Sequence, residues 1–385
     1  MEFIDLKRQR DRIEDQLRAR IDKVMTHQAF IQGPEVAELE GALAAFAGVR
    51  NAITCANGTD ALQVALMATD IGPGDAVFVP SFTYTATAEA ILLLGATPVF
   101  VEVEEATCNI DLAFAEAEIE AVAREGQLRP AALLTVDLFG RPADAAAAKA
   151  LCGRHGLAFI SDGAQSFGAR VGGQRVGVMA DITTTSFFPA KPLGCYGDGG
   201  AIFTDNDDAA LRMRSICQHG KGAAKYDVVR VGLNSRLDTL QAAILLPKLA
   251  IFADEIERRD AVARAYQNAL AGAVQTPPLP AQDDRLAWAQ YTLQIDADWL
   301  GGRDAAQARL KAAGVPSAVY YPRPMHRQPA YAALARRDLP VSDRLCERVL
   351  SLPMHPYLTP AEVDQVCGAL LDSGAGASRS LETAA

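Results

Sequence analysis

A chain of 385 residues that is 50% hydrophobic carries more apolar material than one small domain needs, so two domains are expected. Its net charge of −10 excludes general attraction to nucleic acid or to an anionic membrane, and an anionic substrate must therefore meet local basic side chains. The seven cysteines form no CxxC pair, which argues against structural zinc and a disulfide framework and for reduced thiols.

The amino terminus, Met1 to Val24, mixes acids and bases at helical spacing and lacks the apolar core of a signal peptide. The longest apolar stretch, about Ala90 to Val101, is broken by Gly95 and Pro98 and is too short for a membrane helix, so the expected location is cytoplasmic. Between Asn51 and Asp205, seven strand-like runs alternate with alanine-rich amphipathic stretches: Asn51–Cys55, Ala76–Pro80, Pro98–Val103, Ala132–Asp137, Ala158–Ser161, Ile182–Phe187 and Gly200–Thr204. This alternation predicts an α/β fold with a mostly parallel sheet covered on both faces. In such sheets ligands bind beyond the carboxyl ends of the strands, which is where Asn57-Gly58-Thr59, Ser81 to Tyr84 and Asp162 fall.

A long charged helix is expected from about Pro247 to Ala271, and the Pro-rich segment Gln275 to Pro280 reads as a boundary. A strand at Ala289–Ile295 and helices near Ala305–Ala313 and Pro360–Leu371 then predict a smaller α+β domain. The expected division is 1–246 for the large domain and 247–373 for the connecting helix and small domain, with a disordered polar tail at 374–385.

Chemistry concentrates in two motifs. Lys191 stands between a strand-like run and a turn containing Gly194, Gly197, Gly199 and Gly200, a poor place for a solvated charge and a good one for a Schiff-base nucleophile. Asp162 is expected at a strand end, where a buried carboxylate needs a cationic partner, although a turn or helix-cap aspartate fits the same position. Gln165 falls one helical turn later and suits either a ligand or the surface. Asn57-Gly58-Thr59 opens a helix whose N–H groups suit a phosphate, or else simply caps it. Tyr84 suits either stacking on a flat ring or the core, and Ser186 offers a hydroxyl to an anion. Pyridoxal phosphate needs a lysine, a carboxylate for its ring nitrogen and donors for its phosphate, and the sequence offers all three. No GxGxxG comes after the first strand, which counts against a dinucleotide site.

Taken in order, Asn57 to Leu62, Pro80 to Tyr84, Asp162 to Gln165, Ser186 to Lys191 and Gly232 to Ala243 resemble the DegT/DnrJ/EryC1/StrS sugar aminotransferases over about Met1 to Leu371. The resemblance implies a fold-type I pyridoxal-phosphate transferase of the aspartate-aminotransferase kind, with a seven-stranded sheet in its large domain. It implies Lys191 as the lysine that carries the cofactor, Asp162 at the pyridine nitrogen and Gln165 at the phenolic oxygen. It further implies Tyr84 on the ring, Gly58, Thr59 and Ser186 around the phosphate, and Asn234 reaching the phosphate of a neighbouring subunit in a homodimer with shared sites.

Thr184 to Ala201, Arg230 to Lys248 and Ser351 to Tyr357 are similar to one branch in particular, the glutamate-dependent 3-aminotransferases of UDP-2-acetamido-2-deoxy-3-keto-glucuronate in O-antigen and lipopolysaccharide synthesis. The expected partners are thus a UDP-linked keto sugar and the glutamate/2-oxoglutarate pair, with no metal. Arg230, Tyr320, Tyr321 and His326 are the expected substrate residues, Arg230 for a carboxylate. The alternatives are a 4-keto nucleotide sugar as acceptor and a non-catalytic regulatory protein that binds the same cofactor.

Overall fold

The computed structural model describes residues 1–224 and 226–372, so the tail expected at 374–385 lies outside the described residues. Helices α1 (Leu6–His27) and α2 (Pro34–Ala47) precede strand β1 (Asn51–Cys55). Next come α3 (Gly58–Ala68), β2 (Asp75–Pro80), α4 (Ala86–Leu93), β3 (Thr97–Val101), α5 (Leu112–Glu125), β4 (Arg129–Val136), α6 (Ala145–His155) and β5 (Ala158–Asp162). A short hairpin of β6 (Arg170–Val171) and β7 (Gln174–Arg175) leads to β8 (Ile182–Ser186), β9 (Gly200–Thr204) and α7 (Asp207–Cys217).

The main sheet has seven strands in the order β1-β9-β8-β5-β4-β2-β3. Strand β9 runs antiparallel to both neighbours, β1 and β8, while the β2–β3, β2–β4, β4–β5 and β5–β8 pairs are parallel. Alternation along each strand builds the two faces. Val77 and Val79 of β2 join Leu62, Ile91 and Met213 from α3, α4 and α7, whereas Ala76 and Phe78 join Ile119 and Leu151 from α5 and α6. Every strand of this sheet coincides with an expected run to within three residues, because a sheet buried on both faces leaves a near-continuous apolar signature.

The long helix α8 (Thr239–Leu270) departs from expectation. Its expected start is Pro247, but the helix already begins at Thr239 and Pro247 lies buried within it. Proline removes one intrahelical hydrogen bond, and burial of the flanking Leu245, Leu249 and Phe252 against the sheet-side core holds the helix together across it. Further along, Val262, Tyr266 and Leu270 enter a second core with β10 (Tyr291–Gln294), β11 (Val349–Leu352), α9 (Gly302–Ala312) and α11 (Pro360–Leu371). One helix thus serves both cores. Strand β11 and helix α10 (Pro340–Arg348) are additions to the expected elements, and α10 packs Leu345 and Cys346 onto the large core. The buried carboxylate of Glu102 fixes it there, accepting from Val341 N at 2.8 Å, Ser342 N at 2.9 Å and Ser342 Oγ at 2.6 Å at the helix start. All seven cysteines are buried and unpaired. Among the described residues no helix is long and apolar enough to cross a membrane.

Candidate active site

Sheet register brings the site together. Gly200 pairs with Cys55 on one side and Ser186 on the other, so the residues after β1 lie beside the end of β8. The approach is tight: a Cβ on Gly200 would stand 2.5 Å from Asn57 O, and one on Gly58 would stand 2.7 Å from Ser186 Cβ. Asn57 caps α3 by accepting from Asp60 N at 2.8 Å, which leaves the first N–H groups of the helix, at Gly58 and Thr59, pointing outward beside the Ser186 hydroxyl. Helix-start N–H groups, a hydroxyl and a glycine without a side chain make a cradle for a phosphate. Gly58→Ala fills that cradle and is expected to weaken cofactor affinity about tenfold or more, read by titrating the apoprotein with pyridoxal phosphate.

Parallel pairing puts the ends of β4 and β5 at the same edge. Asp162 closes β5 and is 8% exposed, its Oδ1 accepting from Ala164 N at 3.1 Å and its Oδ2 from Thr87 Oγ1 at 3.2 Å. Burial pushes this carboxyl above the usual range, and the charge of Lys191 opposes the shift. Lys191 responds in kind: burial of its amine lowers its pKa, and Asp162 pulls it back up. No ion pair closes on either group among the described residues. Asp162 is therefore a buried carboxylate without a paired cation among these residues, a place that a protonated ring nitrogen can take, and burial biases the Lys191 amine toward the neutral, nucleophilic form. Lysine, carboxylate and phosphate cradle are the three features that pyridoxal phosphate needs, and the residues present fit it.

Gln165 is 5% exposed and held at both ends of its amide, its Oε1 accepting from Phe139 N at 2.7 Å and its Nε2 donating to Tyr321 Oη at 3.3 Å. Tyr321 arrives from beyond α9 and stands 6.1 Å, ring to ring, from Tyr84, which is 57% exposed. Lys191, Asp162, Gln165, Gly58, Thr59, Ser186, Tyr84 and Tyr321 thus gather at one edge of the sheet. Tyr320 turns toward Phe3, 6.4 Å away. Asn234 is exposed and bridges to Gln218, and Arg230 lies on the same excursion of chain, where its carbonyl crowds Gly220 so closely that a Cβ there would collide.

The expectation for His326 is substrate contact, and the structure places it elsewhere. It is 2% exposed, with Nδ1 at 2.7 Å from Ser81 Oγ and Nε2 at 3.4 Å from Asp343. Burial lowers its pKa, so the ring is a neutral support under the turn after β2. Thr87 and Asp137 belong to the site region without standing out in the sequence. Asp137 is 3% exposed, accepts from Ser166 Oγ at 2.6 Å and Ala143 N at 3.0 Å, and is pushed by burial to about 7. In the folded protein it holds a proton that the unfolded chain releases near 3.8, so stability is full below that value and falls as pH rises through 7. Asp137→Asn keeps the hydrogen-bonding shape and is expected to flatten the loss of apoprotein stability between about pH 5 and about pH 8, read by urea melts at both pH values.

Residues 11–371 match the DegT/DnrJ/EryC1/StrS aminotransferase family. The chain is 49% identical, over 96% of its length and 99% of the relative's, to the UDP-2-acetamido-2-deoxy-3-oxo-D-glucuronate aminotransferase of Pseudomonas aeruginosa. Its fold superposes with a TM-score of 0.93 on a DegT DnrJ EryC1 StrS aminotransferase from Brucella abortus, at 50% identity, covering 96% of this chain and 98% of that one. It superposes with a TM-score of 0.89 on S. venezuelae DesV in complex with a ketimine intermediate, at 37% identity, covering 96% and 97%. By family match over residues 11–371, by identity to its relatives and by fold, the chain belongs to the DegT/DnrJ/EryC1/StrS aminotransferase family.

Proposed function

We propose that this aminotransferase moves the amino group of L-glutamate to C3 of UDP-2-acetamido-2-deoxy-3-keto-glucuronate, in the cytoplasmic assembly of sugars for O-antigen and lipopolysaccharide. The observation that carries the substrate assignment is 49% identity, across 96% of the chain, to an enzyme named for that substrate.

Bound pyridoxal phosphate supplies a carbonyl that joins to amines and a ring that withdraws electrons. Gly58, Thr59 and Ser186 would hold its phosphate, and Tyr84 is the residue that would cover its ring. Asp162, buried at the end of β5, would keep a proton on the ring nitrogen by pairing with it. Because the Gln165 carbonyl is taken by Phe139 N and one amide hydrogen by Tyr321 Oη, the second hydrogen of Nε2 is what Gln165 would donate to the phenolic oxygen. Lys191 would anchor the cofactor, and its Nζ, freed when the amine of glutamate takes its place, would take the proton from Cα of glutamate in one half-reaction and give one to C3 of the sugar in the other. Arg230, with no carboxylate in ion-pair range among the described residues, is assigned to the substrate carboxylate, and Tyr321 and Tyr320 border the sugar. His326 acts from beneath, by holding Ser81.

The site is completed by a second copy of the chain. Asn234 is exposed on a stretch that also exposes Val228 (67%) and Val231 (83%), apolar surface that suits a subunit contact and a reach into the neighbouring phosphate site. Incubating the protein with glutamate and a panel of nucleotide-linked keto sugars tests the assignment. Amination of the 3-keto uronate is expected; amination of 4-keto hexoses in its place overturns the choice of substrate.

A further inference from the structure

We propose that Lys248 is a positioning residue for Lys191, holding from α8 the turn that presents the cofactor-bearing amine. The proposal rests on the assignment of Lys191 as the cofactor lysine. Lys248 is the one charged residue in the run Ile244 to Phe252, and it is fully buried, at 0% exposure. Its Nζ donates to Gly194 O at 2.6 Å and lies 3.9 Å from the centre of the Tyr196 ring. Among the described residues no carboxylate lies in ion-pair range of it, and burial lowers its pKa to about 8. The partners that offset its burial are therefore a loop carbonyl and an aromatic face of the Lys191 turn itself.

That turn is closed on both sides. Lys191 N donates to Phe188 O at 2.8 Å, and a Cβ on Gly194 would stand 2.7 Å from the same Phe188 O and 2.5 Å from Pro189 O. Chain from Phe188 to Gly194 thus folds tightly on itself with Lys191 near its middle. Gln241 lies seven residues before Lys248, hence on the same face of α8, and its Oε1 accepts from Tyr196 N at 3.0 Å. One helix face grips the turn at two successive points, Gly194 and Tyr196. A methionine at 248 would fill the same volume without burying a charge, and such exchanges are often neutral or stabilising. What a methionine lacks is the donor to Gly194.

Lys248→Met in the holoenzyme is the test, with three readouts. Borohydride reduction and peptide mapping locate the cofactor, visible circular dichroism per bound cofactor reports its fixed orientation, and steady-state kinetics separate kcat from KM. The expected result is cofactor on Lys191, an induced dichroic band reduced about twofold or more, and kcat lowered about 10- to 100-fold with KM for glutamate within about threefold. A dichroic band and kcat within about 1.5-fold of the parent, at full cofactor occupancy, overturn the proposal. Should Lys248→Met fail to fold, Lys248→Leu removes the same donor to Gly194, and an unchanged band and kcat there overturn the proposal equally. Cofactor mapped to a lysine other than Lys191 overturns the assignment on which the proposal rests and is distinguished by the mapping alone.

Discussion

Replacing Lys191 by alanine is expected to abolish the borohydride-reducible visible band and to lower turnover by about 10³-fold or more, since in the proposed mechanism one side chain supplies first the covalent anchor and then the proton-transferring base. Burial of the Lys191 amine lowers its pKa, so a larger share of neutral amine is present near pH 7 than an exposed lysine would offer. Asp162 opposes that shift without forming an ion pair among the described residues, which leaves the amine free to move. The variant retains Phe188, Gly194 and the turn between them, so apoprotein melting is expected to change little. Small primary amines added to the variant should recover part of the activity, because the alanine leaves space where the amine stood. An unchanged reducible band in Lys191→Ala would falsify the assignment of the anchor.

Much of this site is legible in the sequence because its residues sit on short motifs at strand ends. Cys55, Pro80, Asp162 and Ser186 end strands whose apolar runs are continuous, and the loops that leave those strand ends meet at one edge of the sheet. The unread part depends on partners far apart in sequence. As one of the basic residues an anionic substrate needs on an acidic protein, His326 reads as a substrate residue, but its ring is taken by Ser81, 245 residues earlier. Asp137 reads as the end of a strand, and only the folded chain reveals that it is buried against Ser166. Lys248 carries a usable signal, a single lysine inside nine residues otherwise apolar, yet its meaning lies in Gly194, 54 residues away. Pro247 misleads a reading of α8 because propensity weighs the proline alone, while burial on both sides of it decides.

Asp162→Asn is expected to separate stability from catalysis. Asparagine matches the shape of aspartate and keeps an acceptor for Ala164 N or Thr87 Oγ1, so the turn after β5 should persist. In the apoprotein the wild-type carboxyl is a cost: burial raises its pKa above the usual 3.8, so its contribution to stability is full below that value and is lost as pH rises through the raised one. Removing the charge should leave the apoprotein at least as stable as the parent at about pH 8 and less dependent on pH, read by urea melts. Catalysis should move the other way. A neutral amide cannot hold a proton on the ring nitrogen, and the loss of a buried electrostatic partner at a site of developing charge is worth about 10²- to 10³-fold in kcat. The visible spectrum should remain that of a cofactor joined to Lys191, since the anchor is intact. A variant that melts like the parent, binds cofactor and still turns over within about threefold of wild type would show that Asp162 is a structural carboxylate at the end of β5 and not the partner of the ring.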